Sequence, residues 1–458
     1  MAGENSINIQ ISIDGNNLVF DQDNDPGKVP FDTGENDADG NNVRIELGIA
    51  KIFHKVLNFI KTDPELFQRQ DFELLGEMLS KILFGKKGDL RGVSMRKTYQ
   101  TLRSGVSKNC RLILSFDDKS GMANLPWEYV LYKFPGSDEP FYLSASVKSS
   151  FQVIRRFPNN VRKCTHPEQE KLHIIVLLNT EGNGGIIPSI DSRATDKPEL
   201  LKMFDSLKQQ YPGKVEIKVL DAPSMDGIKD EVESMVTEWR NGGPDEPAYI
   251  VHYIGHAMLQ NQAGKLALKK RSTDKIDWVN DGSFASLFSS NGLDVRPPSI
   301  VFFQACDSAK IGVIDNTLRG VAYEFTRVNI PAVVGMQNEI NTTQSCTFYY
   351  KVYESLLAGK DVAEAVTIGR DHLGTDNKDY AGRQFQPAGE PYKYNYFGSP
   401  VLFITTDEPI RMIRVNVPGI ETTGEKMLNT SNLQERAAAK LETSSIDNDN
   451  PEKATRAK

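Results

Sequence analysis

The segment Ala248-Tyr-Ile-Val-His-Tyr-Ile-Gly-His256 is a short apolar run that stops at a glycine and is followed by an imidazole. A second run, Ser299-Ile-Val-Phe-Phe-Gln-Ala-Cys306, stops at small residues and is followed by a thiol. Runs of about five to seven β-prone residues that end in this way are typical of buried strands. If the two strands lie side by side in a parallel sheet, His256 and Cys306 reach the same carboxyl edge. Open α/β sheets carry their chemistry at that edge.

The same alternation of short apolar runs and helical stretches extends over residues 165–406. Further strands are predicted at His173–Leu178, Val215–Leu220, Pro331–Gly335 and Pro400–Ile404. Helical stretches are predicted at Pro198–Tyr211, Met225–Trp239, Thr317–Val328, Gln344–Leu357 and Val362–Leu373. Strands that alternate with helices predict an α/β domain whose mostly parallel sheet is flanked by helices on both faces.

Residues 1–160 are organised differently, and we interpret them as an N-terminal α+β unit. The alternating segment Ile7–Ile13 predicts a half-buried strand, and the spacing in Ile45–Ile60 and Phe72–Leu83 predicts two amphipathic helices. An acidic, Asn/Gly-rich loop at about residues 21–40 lacks the spacing of a calcium-binding loop, so we expect a flexible loop there. Residues 407–458 are predicted to be a flexible tail or linker, because residues 420–458 contain few large apolar side chains.

Composition restricts the class of protein. The 458 residues are 39% hydrophobic and 25% charged, which fits a globular protein of two or three structural units. A net charge of −7 argues against nucleic acid or a membrane surface as the main partner. The first residues lack the features of a secretory signal, and no apolar stretch approaches the roughly 20 residues that span a bilayer. Four cysteines without a CxxC pair are typical of a reducing compartment, so we expect a cytoplasmic protein.

The thiol and the imidazole predict nucleophilic catalysis on a carbonyl, with His256 as general base. Cys306 could instead be inert packing, because free cysteines are often buried. Its position after the strand, followed by polar Asp307 and Ser308, favours a functional role. His252 and His256 have a spacing that binds zinc on a helix. The strand context and the lack of an intervening glutamate favour a buried, hydrogen-bonded His252, so we expect no metal and no cofactor.

Six motifs, in their order along the chain, resemble the CHAT family of caspase-like cysteine peptidases in the caspase/separase clan. They are Leu125-Pro-Trp-Glu-Tyr-Val130, Tyr253-Ile-Gly-His-Ala257, Phe303-Gln-Ala-Cys-Asp-Ser-Ala309, Arg319-Gly-Val-Ala-Tyr-Glu-Phe325, Ile330-Pro-Ala-Val-Val-Gly-Met336 and Asn395-Tyr-Phe-Gly-Ser-Pro-Val-Leu402. In caspases a Q-A-C signature has its histidine about 50 residues upstream, and His256 and Cys306 lie 50 residues apart. The resemblance covers roughly residues 70–405 and implies a caspase-like fold.

The resemblance also implies roles for single residues. Cys306 would be the nucleophile and His256 the general base, and the backbone N–H groups of Cys306 and Ala257 would face the oxyanion. Ala257 departs from the glycine that is common in the clan, but it keeps its N–H. Gln304 occupies the position that lines the substrate pocket, and a neutral amide there does not select basic residues by itself. Asp307 is either a pocket wall or a turn cap, and we favour the cap.

The expected function is therefore that of a cytoplasmic cysteine endopeptidase acting on protein substrates. Many members of the family carry sensor domains or repeats, which this sequence does not show. We therefore expect a separate activating or sensor protein that docks on the N-terminal unit or the acidic loop. Family analogy alone points to prokaryotic antiviral defence or cell death. The alternatives are a catalytically silent caspase-fold scaffold and a zinc hydrolase.

Overall fold

The computed structural model describes residues 6–14, 17–22, 69–85, 90–105, 109–116, 122–134, 137, 140–146, 150–163, 167–179, 196–240, 246–270, 276–314, 317–338, 340, 342–375 and 396–414. The predicted helix at residues 45–60 and all but the first two residues of the predicted acidic loop lie outside these ranges. Most of the predicted tail, residues 415–458, also lies outside them.

Most of the secondary structure agrees with the predicted alternation. In chain order, the strands of the described ranges are Ser6–Asp14 (β1), Asn17–Gln22 (β2), Asn109–Phe116 (β3), Leu131–Tyr132 (β4), Phe141–Tyr142 (β5), Phe151–Arg156 (β6), Leu172–Leu178 (β7), Val215–Asp221 (β8), Tyr249–Ile254 (β9), Ala257–Gln260 (β10), Ala263–Lys269 (β11), Ile276–Asn280 (β12), Ile300–Gln304 (β13), Gly312–Ile314 (β14), Thr317–Arg319 (β15), Ala332–Met336 (β16) and Pro400–Ile404 (β17). Their α-helices are Arg69–Phe84 (α1), Leu90–Arg103 (α2), Asp196–Gln210 (α3), Met225–Arg240 (α4), Asp281–Leu287 (α5), Val321–Arg327 (α6), Thr342–Leu357 (α7) and Val362–Thr375 (α8). None of these helices combines the length and the hydropathy that crossing a lipid bilayer requires.

Ten strands form one sheet in the order β2-β1-β3-β6-β17-β16-β13-β9-β7-β8. Strands β16, β13, β9, β7 and β8 are all parallel and make up the first block of the sheet. Strands β1, β3, β6 and β17 are parallel to one another and make up the second block. The two blocks meet at the antiparallel pair β16–β17. The predicted α/β fold with a mostly parallel sheet is confirmed, and both predicted parts of the chain contribute to the same sheet.

Strands β7, β9, β13 and β16 of the first block are buried and mostly apolar because helices cover both of their faces, whereas the edge strand β8 alternates and is partly exposed. His252 on β9 faces α7, where its ring lies 6.0 Å from the ring of Tyr353. The next residue, Tyr253, faces the opposite side, 6.0 Å from Phe284 of α5. Helix α4 shows the complementary pattern, since its buried residues Ile228, Val232, Val236 and Trp239 recur every three or four positions. Burial of each large apolar side chain stabilises the fold by about 1.5–3 kcal/mol.

The predicted helix Thr317–Val328 begins later than expected. Residues 317–319 form strand β15, which pairs with β14, and helix α6 starts at Val321. Gly320 separates the two with φ +145°, and a Cβ at this position would lie 2.3 Å from the carbonyl oxygen of Lys310. Glycine adopts this backbone conformation and leaves room for the Lys310 carbonyl. The strand therefore ends at Arg319, before the helix begins.

The predicted tail begins at residue 407, whereas residues 407–414 pack against the folded chain. Ile410, Met412 and Ile413 are buried, and the Arg414 N–H donates to the carbonyl of Gln169 at 3.1 Å. These apolar side chains are few in a stretch that is otherwise polar, so the composition of the whole stretch hides them. Residues 1–414 form one compact unit.

Candidate functional site

The pairing of β9 with β13 brings the two sequence-predicted functional residues to one edge of the sheet. Ile254 lies opposite Gln304 in the parallel register, and the Gly255 N–H donates to the Gln304 carbonyl at 3.3 Å. His256 and Cys306 each follow this pair by two residues. Neighbouring strands are about 4.8 Å apart, so the two segments that carry the imidazole and the thiol leave the sheet at neighbouring positions of one edge. Both residues are partially exposed.

Cysteine exposure separates Cys306 from the other thiols of the described ranges. Cys110 and Cys346 are fully buried, whereas Cys306 is partially accessible. A nucleophile has to reach its substrate, so accessibility is a condition that Cys306 meets.

The backbone around His256 is held on both sides. A Cβ on Gly255 would lie 2.7 Å from the carbonyl oxygen of Asn179 and 2.7 Å from the hydroxyl of Tyr253, so only glycine fits between these neighbours. The carbonyl of His256 accepts hydrogen bonds from the Ala267 N–H at 3.0 Å and from the Tyr253 hydroxyl at 2.9 Å. Strong burial of the Tyr253 ring raises the pKa of its hydroxyl, which therefore stays a donor at neutral pH.

Ala257, the residue expected to contribute an oxyanion N–H, begins strand β10. It pairs with Leu266 of β11, and β11 in turn pairs with β12 in a three-stranded antiparallel sheet. The side chain of Ala257 is buried. The small sheet therefore fixes the backbone directly after His256.

The chain after Cys306 forms a turn, residues 305–311, which we call the Cys306 turn. Ser308 holds its middle: the fully buried hydroxyl donates to the Ala305 carbonyl at 2.8 Å and accepts the Met336 N–H at 2.8 Å. The Ala309 N–H donates to the Met336 carbonyl at 3.0 Å. The end of β16 thus clamps the Cys306 turn. Sequence analysis identified Ser308 only as a polar neighbour and missed this role.

Asp307 has the geometry of a turn residue. Its φ is +60°, in the left-handed region that aspartate tolerates better than most residues. Its carbonyl accepts the Lys310 N–H at 3.0 Å, and its carboxylate lies 2.8 Å from the Lys310 ammonium. Both predicted roles of the Asp307 side chain, as a turn cap and as a wall of a substrate pocket, stay predictions.

Gln304 is the last residue of β13, and its side chain contacts helix α7. Its amide nitrogen donates to the Ser345 hydroxyl at 2.7 Å and lies 3.7 Å from the sulfur of Cys346. The side chain is 8% exposed. Contacts with α7 therefore fix the orientation of the Gln304 amide. The predicted role of Gln304 as a residue that lines the substrate pocket stays a prediction.

His252 lies apart from the edge, inside β9. Its Nδ1 is 2.8 Å from the hydroxyl of Tyr353, and its ring lies 4.4 Å from the ring of Tyr349. Burial lowers the pKa of His252 to about 3, so the imidazole is neutral at physiological pH. The environment is that of a hydrogen-bonded core histidine. Within the ranges that the structure describes, no group of three or more His, Cys, Asp or Glu residues is arranged to hold a metal ion.

A buried charged network, which sequence analysis missed, joins the Leu125–Val130 motif to the end of β16. The Glu128 carboxylate accepts a hydrogen bond from Arg155 Nε at 2.9 Å and a second from its terminal nitrogen. It also accepts one from Gln337 Nε2 at 2.9 Å, and a terminal nitrogen of Arg370 lies 4.0 Å away. Gln337 directly follows β16, the strand that clamps the Cys306 turn. The available signal was a single glutamate within an otherwise apolar motif.

The mostly parallel sheet, covered by helices and with a thiol and an imidazole at its carboxyl edge, defines a caspase-like α/β fold. A sequence model of the CHAT domain matches residues 87–392, more than half of the chain. The chain belongs to the CHAT family. The predicted resemblance is thereby confirmed.

Several solved structures are similar to this chain at low sequence identity. In the crystal structure of the Saccharomyces cerevisiae separase–securin complex, the match covers 90% of this chain and 30% of the matched chain, at 12% identity and a TM-score of 0.39. Caspase-1 from Spodoptera frugiperda matches 55% of this chain and 94% of that chain, at 12% identity and a TM-score of 0.34. For Raptor from Chaetomium thermophilum the match covers 43% of this chain and 19% of the Raptor chain, at 12% identity and a TM-score of 0.27. The chain thus spans less than a third of the length of the separase chain. A search of curated proteins found no match.

Proposed function

We propose that the protein is a cysteine endopeptidase that cleaves protein substrates with a dyad formed by His256 and Cys306. The observation that carries the proposal is the register of β9 and β13, in which both residues follow the paired residues Ile254 and Gln304 by two positions. Membership of the CHAT family and the partial exposure of Cys306 support it.

In the proposed reaction, the Cys306 sulfur attacks the carbonyl carbon of the scissile peptide bond while His256 takes up the thiol proton. The tetrahedral intermediate places its negative oxygen toward the backbone N–H groups of Cys306 and Ala257. His256 then donates the proton to the leaving amine, and the C–N bond breaks to leave a thioester on Cys306. A water molecule, deprotonated by His256, hydrolyses the thioester and restores the thiol.

The surroundings of the dyad support this assignment because they leave little freedom in the backbone. The Tyr253 hydroxyl and Ala267 N–H hold the His256 carbonyl, and Ser308 holds the Cys306 turn. Prior positioning of reacting groups removes part of the entropic cost of the reaction. The proposed chemistry needs neither a metal nor a cofactor.

We extend the proposal to regulation by a separate activating or sensor protein that binds the N-terminal part of the chain. The setting that we propose, a cytoplasmic pathway of prokaryotic antiviral defence or cell death, rests on family analogy alone.

The test incubates the wild type, Cys306→Ala and His256→Ala with a peptide library and candidate partner proteins. We expect cleavage by the wild type and a loss of about 10³-fold or more in both variants, since removal of one member disables such a unit. Cys110→Ala, which removes a buried thiol on β3, is the matched control and should retain activity. Cleavage that persists in Cys306→Ala would refute the mechanism. If no condition gives cleavage, the silent scaffold becomes the better description, and stoichiometric zinc that is lost in a His252 variant would favour a zinc hydrolase.

A further inference from the structure

We propose that Asn124 is a positioning residue for Cys306: its side chain anchors the far end of the Cys306 turn to the N-terminal part of the chain. The inference rests on the proposed function, because it assigns a role in the same site. It also identifies a physical route by which events in the N-terminal part can change the reactivity of the thiol.

The anchor is a pair of hydrogen bonds between one side-chain amide and one backbone residue. Asn124 Oδ1 accepts the Ile311 N–H at 2.9 Å, and Asn124 Nδ2 donates to the Ile311 carbonyl at 2.5 Å. The two residues are 187 positions apart in the sequence. The amide of Asn124 thus satisfies both backbone groups of Ile311, as a neighbouring strand would, at a point where the turn has left strand β13.

Ile311 is connected to Cys306 through a short series of contacts. Its neighbour Lys310 donates its backbone N–H to the Asp307 carbonyl at 3.0 Å, and its ammonium lies 2.8 Å from the Asp307 carboxylate. Asp307 directly follows Cys306 and has a positive φ of 60°. A shift of Ile311 would therefore move Lys310 and, through it, Asp307, whose backbone conformation sets the direction of the chain at the thiol. Ser308 fixes the middle of the turn, so Asn124 restrains the part that Ser308 does not reach.

Asn124 is itself held by buried groups. It ends the short helical turn Met122–Asn124, and the Trp127 indole N–H donates to the Met122 carbonyl at 2.8 Å. Arg155 donates to the carbonyl on each side of Asn124, that of Ala123 at 2.5 Å and that of Leu125 at 3.0 Å. Because Arg155 also binds Glu128, the anchor is built on the buried charged network. The position of Ile311 therefore depends on the packing of the N-terminal part.

The chemistry of the contact distinguishes substitutions at this position. Asn124→Ala removes both hydrogen bonds. Asn124→Asp keeps an acceptor for the Ile311 N–H but replaces the hydrogen bond to the Ile311 carbonyl with a repulsive contact between two oxygens. Asn124 is only partly buried, and neither substitution opens a cavity in the core. Asn160→Ala is a matched control, because Asn160 Nδ2 donates to the Thr326 hydroxyl of α6 at 2.9 Å and does not contact the Cys306 turn.

The experiment measures the rate at which iodoacetamide alkylates Cys306 as a function of pH, by peptide mass spectrometry of the full-length protein. We expect Asn124→Ala and Asn124→Asp both to change the pH profile of Cys306 alkylation, and Asn160→Ala to match the wild type. With a cleavable substrate, Asn124→Ala should lower kcat by about tenfold with KM nearly unchanged, since misplacement of a reacting group acts on the chemical step. Thermal melting of each variant shows that the fold is kept.

The proposal is overturned if Asn124→Ala has the same alkylation profile as Asn160→Ala and the wild type. A change that appears equally in Asn124→Ala and Asn160→Ala would also overturn it, since it would reflect general loosening of the fold. Alkylation needs no substrate, so this result is independent of whether the protein cleaves peptides. Failure of the proposed function would appear instead as cleavage that does not depend on Cys306.

Discussion

Replacement of Glu128 by glutamine should destabilise the protein strongly, because it removes the negative charge from a buried network. The side chain of Glu128 is fully buried, and the side chains of its partners Arg155 and Arg370 are 1% and 0% exposed. Glu128→Gln keeps the shape of the side chain but leaves two buried guanidinium groups without a carboxylate. Burial already lowers the pKa of Arg370 to about 10, and the Glu128 charge opposes this effect.

The magnitude follows from the cost of leaving a buried charge without its partner. Removal of one member of a buried ion pair typically costs about 3–5 kcal/mol. Unfolding entropy is about 2.1 cal/mol/K per residue, and the compact unit comprises residues 1–414. The corresponding decrease in Tm is about 3–6 °C. Differential scanning fluorimetry of wild type and variant measures it.

A surface glutamate provides the control. Glu238 pairs with Lys218 at 3.2 Å, and its side chain is 61% exposed. Exposed pairs of this kind contribute about 0–1 kcal/mol, so Glu238→Gln should change Tm by about 1 °C or less. If Glu128→Gln shifts Tm no more than Glu238→Gln does, the buried network does not hold the Leu125–Val130 motif in place, and the reasoning fails.

Three further predictions concern the sheet and its edge. The pKa of His252 is about 3, below the 6.5 of the unfolded chain, so the unfolded state binds this proton first as pH falls. Its contribution to stability is complete above pH 6.5 and is lost by about 1.4 kcal/mol per pH unit below it; urea unfolding of His252→Phe should show a smaller pH slope, and an unchanged slope would contradict the assignment. Ser308→Ala removes the acceptor of the buried Met336 N–H and should lower the free energy of unfolding by about 1–3 kcal/mol. It should also lower the rate of Cys306 alkylation, and a variant that matches the wild type in both measurements would show that Ser308 does not hold the Cys306 turn. Gly255→Ala places a Cβ 2.7 Å from the Asn179 carbonyl oxygen, so we expect lower Tm and loss of cleavage, and full activity would show that the edge can shift freely.

The sequence predicts the fold class well because the relevant signal is local. Strands such as β9 and β13 are covered on both faces, so each reads as an uninterrupted apolar run that helices follow. The arrangement of the whole sheet is not local. Residues 332–336 pair with residues 400–404 in the antiparallel register that joins the two blocks, and no pattern within either segment specifies a partner so distant in the chain.

The candidate site divides in the same way. His256 and Cys306 follow their strands directly, so strand boundaries and a shared edge are sufficient to predict that they meet. Ser308 binds the Met336 N–H and Asn124 binds both backbone groups of Ile311, and a backbone partner in another segment has no sequence signature. Glu128 is the intermediate case, because a charged residue inside the apolar motif Leu125–Val130 indicates a buried partner without identifying it.

The antiparallel junction explains why a motif from the N-terminal part lies so close to the Cys306 turn. Because β17 runs opposite to β16, its first residue, Pro400, pairs with Met336 at the edge where Cys306 lies. Strand β6 is parallel to β17 and therefore starts at that same edge, whereas the preceding parallel strand β3 ends at the opposite one. The chain between β3 and β6 must return across the sheet, and this returning segment contains residues 122–130. The opposite direction of β17 relative to β16 thus places the start of β6, and the end of the returning segment, at the edge that carries Cys306.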